Sequence, residues 1–263
     1  MTDTPDNSKA TDASASPVER AFRLLRFIAE GGSTANLSDV ARQINVNRVT
    51  VMRLLESLKS VGLIEVIAPG GSHRLGMPFL TLAASALGSS DLTSRARQVL
   101  PGLASRTGLS AYLAVREGTE LIYLLCETPD TPLVSRIRVG SRIPAHRATP
   151  GLAMLAHLDA SELATLYANA NQPNAGANDD QPDWDTLQAA LDTVRANGCA
   201  WSFSGLEAGI DSCAAAVIDS RGNVLAALSV AGPNTAFTND GTLRATVEAS
   251  VTAAARELSR SSL

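Results

Sequence analysis

NLSDVARQINVNRVTVMRLLESLKSVG, residues 36–62, reads as two short helices joined by a tight turn. Leu37, Val40, Ala41 and Ile44 recur at i, i+3, i+4 and i+7, the spacing of one apolar helix face. Asn36 can cap that helix by accepting an orphan backbone N–H, with Asp39 in the first turn against the positive end of the dipole. The turn centres on Asn45, a residue type that tolerates the left-handed conformation a sharp reversal needs. Asn47 caps the second helix, Val51, Leu54, Leu55 and Leu58 face inward, and Gly62 ends it. Arg48, Thr50 and Arg53 are left pointing out. The spacing predicts a helix-turn-helix whose second helix carries donors suited to a DNA major groove. The competing reading is a helical hairpin with a solvated charged face.

Working outward, residues 63–67 and 72–75 read as a small hairpin, or wing, closed by Pro69-Gly70-Gly71 and presenting His73 and Arg74. On the N-terminal side, Ser16-Pro17-Val18-Glu19 is a capping box with proline at the first helical position. The helix it opens is expected to bury Val18, Ala21, Phe22, Leu25 and Ile28 and to end at Gly31-Gly32. Residues 16–76 thus form a three-helix winged unit. Residues 1–15, polar and small, are expected to be a disordered tail.

Beyond Gly76 the text changes. Residues 77–91 are apolar and alanine-rich, a linker helix, and residues 92–263 make a second domain that opens with a helical pattern over 92–105. Strand-like runs follow at 110–115, 121–126 and 133–139, then helical patterns at 150–158 and 160–167. Residues 169–182 read as a surface loop, and 184–197 as an amphipathic helix stopped by Gly198. Residues 212–218 and 224–230 form a hairpin, and the last helix aligns Leu243, Val247, Val251, Ala254 and Leu258. Hairpins mixed with helices, without strict βαβ alternation, predict an α+β fold.

Composition agrees with a two-domain globular chain. The 263 residues are 45% hydrophobic and 18% charged, with no apolar run of membrane-spanning length and no secretory signal pattern, so a cytoplasmic protein without membrane contact is expected. Three scattered cysteines, Cys126, Cys199 and Cys213, predict free thiols. The net charge of −4 is uneven: residues 17–90 carry eight Arg/Lys against five Asp/Glu, and residues 91–263 carry thirteen against eighteen. That asymmetry fits one nucleic-acid-facing segment joined to a domain that is not.

Five ordered blocks carry a family likeness: RVTVMRLLESLKSVGLI at 48–64, His73-Arg74-Leu75-Gly76, GSRIPAHRATPGLAMLA at 140–156, GLEAGIDSCAAAVID at 205–219 and NVLAALSVAGP at 223–233. With them the chain resembles the IclR-type bacterial transcriptional regulators along nearly its whole ordered length. The resemblance implies a winged helix-turn-helix, a linker helix and a C-terminal effector domain similar to the GAF fold. It implies dimers or dimers of dimers that respond to a small metabolite. It also implies effector contacts at Thr149 and Pro150, and at Ser202, Ser212, Ser229 and Ala231, where the family usually offers backbone amides, an acid, a thiol and two hydroxyls. This chain departs from that pattern: Pro150 has no N–H to donate, Ser202 replaces the acid, Ser212 the cysteine and Ala231 a hydroxyl, while Leu152 stands where a basic residue is common.

No GxSxG elbow, phosphate loop or HExxH spacing supports an enzyme, and no metal or cofactor is expected. His146 in the loop before Gly151 is better explained as a structural histidine than as a base, and Cys213 as an inert buried thiol. Arg136, Arg138, Arg142 and Arg147 cluster in sequence around that loop, and Arg147 is the candidate partner for an anionic effector. The expected function is regulation of a catabolic operon by a homo-oligomer on near-palindromic double-stranded DNA. Arg48, Thr50 and Arg53 would read it, and Arg42, His73 and Arg74 would touch phosphate or groove edge. Loss of polar anchors at Pro150, Ser202 and Ala231 disfavours a compact oxoacid and favours a larger, partly apolar or aromatic effector. A sensor acting only through protein partners, or a hydrolase with an unrecognised site, are the alternatives.

Overall fold

The structure, a computed structural model, describes residues 15–67, 72–89, 91–129, 137–170, 182–237 and 242–260. All but the last residue of the expected tail, the wing turn at Pro69-Gly70-Gly71, most of the run at 133–139 and most of the loop at 169–182 lie outside them. The chain divides into two compact units, Met1–Leu87 and Gly88–Leu263.

In the first unit the three opening helices each begin on a side-chain cap. Helix α1 (Pro17–Ala29) starts where Ser16 Oγ accepts from the Glu19 amide at 3.1 Å. Helix α2 (Leu37–Gln43) starts where Asn36 Oδ1 accepts from the Ser38 amide at 3.0 Å. Helix α3 (Arg48–Ser60) starts where Asn47 Oδ1 accepts from the Thr50 amide at 2.7 Å. Between the last two, Asn45 adopts φ 53°, the left-handed corner that turns the chain. Val40, Val51, Leu55 and Leu58 are buried with Leu24, Leu25 and Ile28 in one core. Val18 and Phe22 are not: they are 71% and 68% exposed, and the buried stripe of α1 runs through Leu24, Leu25 and Ile28 instead. The expected stripe was offset round the helix, because at 100° per residue Leu24 and Ile28 share a face that Phe22 leaves.

Strands β1 (Ile64–Val66) and β2 (His73–Leu75) form the wing in antiparallel register, Glu65 opposite Arg74. Gly76 ends it in close approach to Gly62, where an added Cβ would stand 2.0 Å from the Gly62 carbonyl oxygen. Helix α4 (Met77–Ser89) follows, with Phe79 packed on the winged core and Met77, Leu80 and Leu82 more than 60% exposed.

The second unit is built on one antiparallel sheet of strand order β5-β4-β3-β8-β7-β6. The strands are β3 (Ser110–Glu117), β4 (Glu120–Glu127), β5 (Arg142–Pro144), β6 (Ala200–Phe203), β7 (Ile210–Ile218) and β8 (Val224–Pro233). The two edge strands, β5 and β6, are too short to show alternation in sequence. Period-two alternation sorts the central strands onto two cores. Leu113, Cys213, Ala215, Leu228 and Val230 face α5 (Asp91–Thr107) and α9 (Thr242–Arg260). Tyr112, Ala114, Ala214, Ala227 and Ala231 face α6 (Thr149–Leu155), α7 (Ala160–Ala170) and α8 (Trp184–Asn197). Gly198 caps α8 at φ 73°, as its type and place suggest. Helix α6 begins at Thr149 and ends at Leu155, so Thr149 and Pro150 belong to its first turn rather than to a preceding loop.

The small faces of the alanines let α6 lie close to the sheet, and Gly151 allows the 3-10 turn Ala145–Arg147 to close over it. A Cβ at Gly151 would stand 2.0 Å from the Ala145 carbonyl oxygen. Gly151→Ala should therefore destabilise the protein by about 1–3 kcal/mol through forced displacement. Gly102→Ala in α5 meets only the end of the Arg106 side chain and should be neutral or stabilising by up to about 1 kcal/mol. Denaturant unfolding of both variants checks this; equal stabilities would refute the close-approach account.

Candidate functional sites: a recognition helix and a roofed cavity

The exposed side of α3 lies opposite Val51, Leu55 and Leu58. It carries Arg53 together with Val49, Met52 and Glu56, with Arg48 at the first helical position and Thr50 half-buried at the flank. Val49 is 53% and Met52 45% exposed, apolar side chains that sequence reasoning passed over because only donors were sought. The first turn of α3 holds no acidic residue, and Arg48 sits there against the positive end of the dipole. Neither Arg48 nor Arg53 makes an ion pair or hydrogen bond among the described residues. Three other expected contacts are engaged within the unit. Arg42 pairs with Asp39, and Arg74 holds Glu65 across the wing with Nε at 3.1 Å and Nη2 at 3.0 Å. His73 Nδ1 lies 2.8 Å from the buried Thr34 hydroxyl, which also accepts the His73 amide at 3.0 Å, so this residue ties the wing to the segment before α2.

In the second unit, register gathers the candidate effector residues on one sheet face. Tyr112 stands opposite Ser229, and Ser212 opposite Ala231. The first turn of α6 covers them: Thr149 Oγ1 lies 2.5 Å from Ser212 Oγ, one hydroxyl donating to the other. A cavity of about 20 Å³ remains, lined by Tyr112, Tyr123, Ile137, Thr149, Pro150, Leu206, Glu207, Ile210, Ser212, Ser229 and Ala231. Its volume is that of roughly one water. Five of the expected residues thus meet at one cavity: Thr149, Pro150, Ser212, Ser229 and Ala231.

Two expected residues do not reach it. Ser202 shares the face of Ser212, but its hydroxyl is folded under the following turn, where a Cβ on Gly205 would meet it at 2.5 Å. Arg147 ends the 3-10 turn on the exposed side and is absent from the cavity wall. Of its neighbours, Arg142 is taken up by Glu117 and Glu120 at 2.6 and 2.7 Å; burial opposes its charge, and these bonds outweigh that and raise its pKa. Arg136 lies outside the described residues. His146 is half-buried and packs edge-on against Tyr167 at 5.8 Å, a structural setting.

Sequence reasoning missed Tyr112, Tyr123 and Glu207. The two phenols sit on neighbouring strands with ring centroids 5.4 Å apart. Burial, then the Tyr112 neighbour, push Tyr123 well above the usual phenol range, so its hydroxyl stays protonated beyond the pH at which a free phenol ionises. An alternation reading of β3 and β4 could have placed both tyrosines on the serine face, but not without the register of β3 on β8. Among the described residues no group of His, Cys, Asp or Glu is arranged to hold a metal, and no helix is long and apolar enough to cross a membrane.

Residues 84–260 match the family model described as bacterial transcriptional regulator IclR C-terminal, and residues 17–67 match the IclR helix-turn-helix domain. The chain is 27% identical to the HTH-type transcriptional regulator XynR of Escherichia coli strain K12 over 213 residues, covering 81% of this chain and 84% of that protein. It is 29% identical to a glycerol operon regulatory protein of Streptomyces griseus, covering 85% and 87%. The solved structure of an IclR transcriptional regulator from Silicibacter sp. TM1040 superposes with a TM-score of 0.79 at 29% identity, covering 93% of this chain and 95% of that one. With a capped helix-turn-helix, an α+β C-terminal unit and both family domains matched, the chain belongs to the IclR family of bacterial transcriptional regulators, DNA-binding proteins rather than enzymes.

Proposed function

We propose that this protein is a cytoplasmic, effector-responsive regulator of a catabolic operon, working as a homo-oligomer on near-palindromic operator DNA. The observation that carries the DNA reading is the solvent face of α3, where two arginines with no hydrogen-bond or ion-pair partner among the described residues flank Val49 and Met52. Arginine can fork onto guanine, and the apolar pair suits thymine methyl groups. Arg48, at the helix N-terminus, also suits a phosphate. Arg42, His73 and Arg74 are assigned the flanking backbone, Arg42 and Arg74 at the cost of exchanging their carboxylate partners. Thr50 stands at the flank of the reading face.

The oligomer reading rests on exposed apolar side chains of the first unit, Val18 and Phe22 on α1 and Met77, Leu80 and Leu82 on α4. A second copy of the chain would cover them, and a symmetric pair is what a near-palindrome requires.

For the effector, the wall of two tyrosines, Ile137, Leu206 and Ile210 supports a partly apolar or aromatic body. Thr149, Ser212, Ser229 and the phenols would hold its polar group. Glu207 in the same wall disfavours a second carboxylate beside it and favours a hydroxyl or amide donor there. Because the cavity holds only about one water, binding such an effector requires its wall to open.

Arg53→Ala and Arg48→Ala should each fold normally and weaken operator binding by about 1–3 kcal/mol where the side chain reads a base. A pure phosphate contact would instead weaken all sequences alike and flatten the salt slope by about one. Fluorescence anisotropy over a salt series distinguishes them, and wild-type binding by both variants would remove α3 from the interface. Replacing Phe22 and Leu80 together by glutamate should lower the oligomer mass seen in sedimentation velocity, with no change in mass refuting the assigned face. Calorimetry with aromatic acids should show binding that Ser229→Ala weakens by about 1.5–3 kcal/mol, the worth of a bond to a charged group. Tight glyoxylate or pyruvate binding with no response to any aromatic acid would overturn the effector class.

A further inference from the structure

The outer edge of β6 carries a second concavity, distinct from the roofed cavity in every lining residue. It encloses about 410 Å³, within the roughly 300–1,000 Å³ typical of small-molecule sites. Its wall runs from Leu152 on α6 and Val194 on α8, across Trp201 and Phe203 on β6, to Arg244 and Glu248 on α9. Trp201 and Phe203, two residues apart and so on one side of the strand, hold their rings nearly parallel, 9° between planes and 5.7 Å between centroids. The Arg244 guanidinium lies over this shelf, 4.3 Å from the Phe203 ring and 5.5 Å from the Trp201 ring.

Arg244 and Glu248 stand one helical turn apart on α9, a spacing at which opposite charges commonly pair. Here they do not close on each other. Arg244 lies on the aromatic rings and makes no hydrogen bond or ion pair among the described residues, while Glu248 accepts the Trp201 indole N–H at a long 3.4 Å. A guanidinium held by rings keeps its N–H fork in plane for a carboxylate. A carboxylate with one weak bond keeps acceptor sites for an ammonium. The groove therefore presents a cation, an anion and an apolar floor together, a pattern complementary to a zwitterion with a hydrophobic body.

We propose that this groove is a second small-molecule site, taking a zwitterionic metabolite with an apolar side chain, an apolar amino acid or a close relative. The ligand carboxylate meets Arg244, its ammonium meets Glu248, and its body lies between Trp201 and the aliphatic wall of Leu152 and Val194. The site does not depend on the effector assignment, since it shares no residue with that cavity.

The chain has two tryptophans, so Trp184→Phe leaves Trp201 as the sole indole reporter. Titrating that variant with L-phenylalanine should give a saturable change in indole fluorescence. 3-Phenylpropionate, lacking the ammonium, and phenethylamine, lacking the carboxylate, should each bind about tenfold or more weaker. Arg244→Gln should remove the advantage of L-phenylalanine over phenethylamine, and Glu248→Gln its advantage over 3-phenylpropionate. Ser229→Ala should change none of these, which separates this site from the effector cavity. No saturable signal, equal affinity for the three probes, or unchanged discrimination in the folded charge variants would overturn the proposal. A fall in oligomer mass in either charge variant, without ligand response in the parent, would assign the groove to a contact between copies instead and equally overturn it.

Discussion

The pairing of β7 with β8, nine residue pairs from Ile210 opposite Pro233 to Ile218 opposite Val224, is the constraint on which the second unit depends. Side chains alternate along a strand, so a slip by one residue would move every inward group to the other face. In the observed register Cys213, Leu228 and Val230 supply the α5/α9 core, while Ser212, Ser229 and Ala231 turn to α6. The hydrophobic demand of one face therefore fixes the polar content of the other. The hairpin turn reinforces that register: Asp219 accepts from the Asn223 side-chain amide at 2.8 Å and from the Asn223 and Arg221 backbone amides at 2.8 and 2.9 Å, and these bonds hold its pKa low.

In the winged unit the local rules are obeyed wherever the chain serves only its own stability. All three opening helices are capped, and Asn45 takes the left-handed corner. They are broken on the outer side of α3. Arg48 faces the positive dipole end, and Val49 and Met52 are left to water. A face that gives up local stability in this way is better explained by a ligand that supplies negative charge and apolar contact than by folding. By contrast Arg74 and His73 already have protein partners and contribute to holding the wing in place.

The roofed cavity draws its polar groups from the sheet as well as from the first turn of α6. Pro150 and Ala231 do remove groups, as their types imply, but Tyr112 and Tyr123 enter from strands distant in sequence and bring two hydroxyls with two apolar rings. The wall therefore combines the small hydroxyls of Thr149, Ser212 and Ser229 with two larger, amphipathic side chains. That combination is what supports the proposal of a partly apolar effector with one polar end.

What the sequence determined by itself was local. The caps at Ser16, Asn36 and Asn47, the corner at Asn45, the Gly198 stop and the alternation of the central strands depend on a residue and its near neighbours, and all stand in the structure. The order of strand and helix patterns added the α+β class, and the ordered motif blocks added the family. What the tertiary structure decided was everything set by distant partners. Val18 and Phe22 read as core from periodicity alone, but which arc of α1 is buried depends on where α3 and the wing pack. The short edge strands β5 and β6 exist because longer strands offer them a ladder, so nothing within three or four residues announces them. Ser202 and Arg147 lost their assigned place because a turn and a 3-10 corner aim them elsewhere, while Tyr112 and Tyr123 gained one because β8 pairs with β3 across a hundred residues of chain. Spacing along the chain fixes direction within an element; only packing fixes what that direction meets.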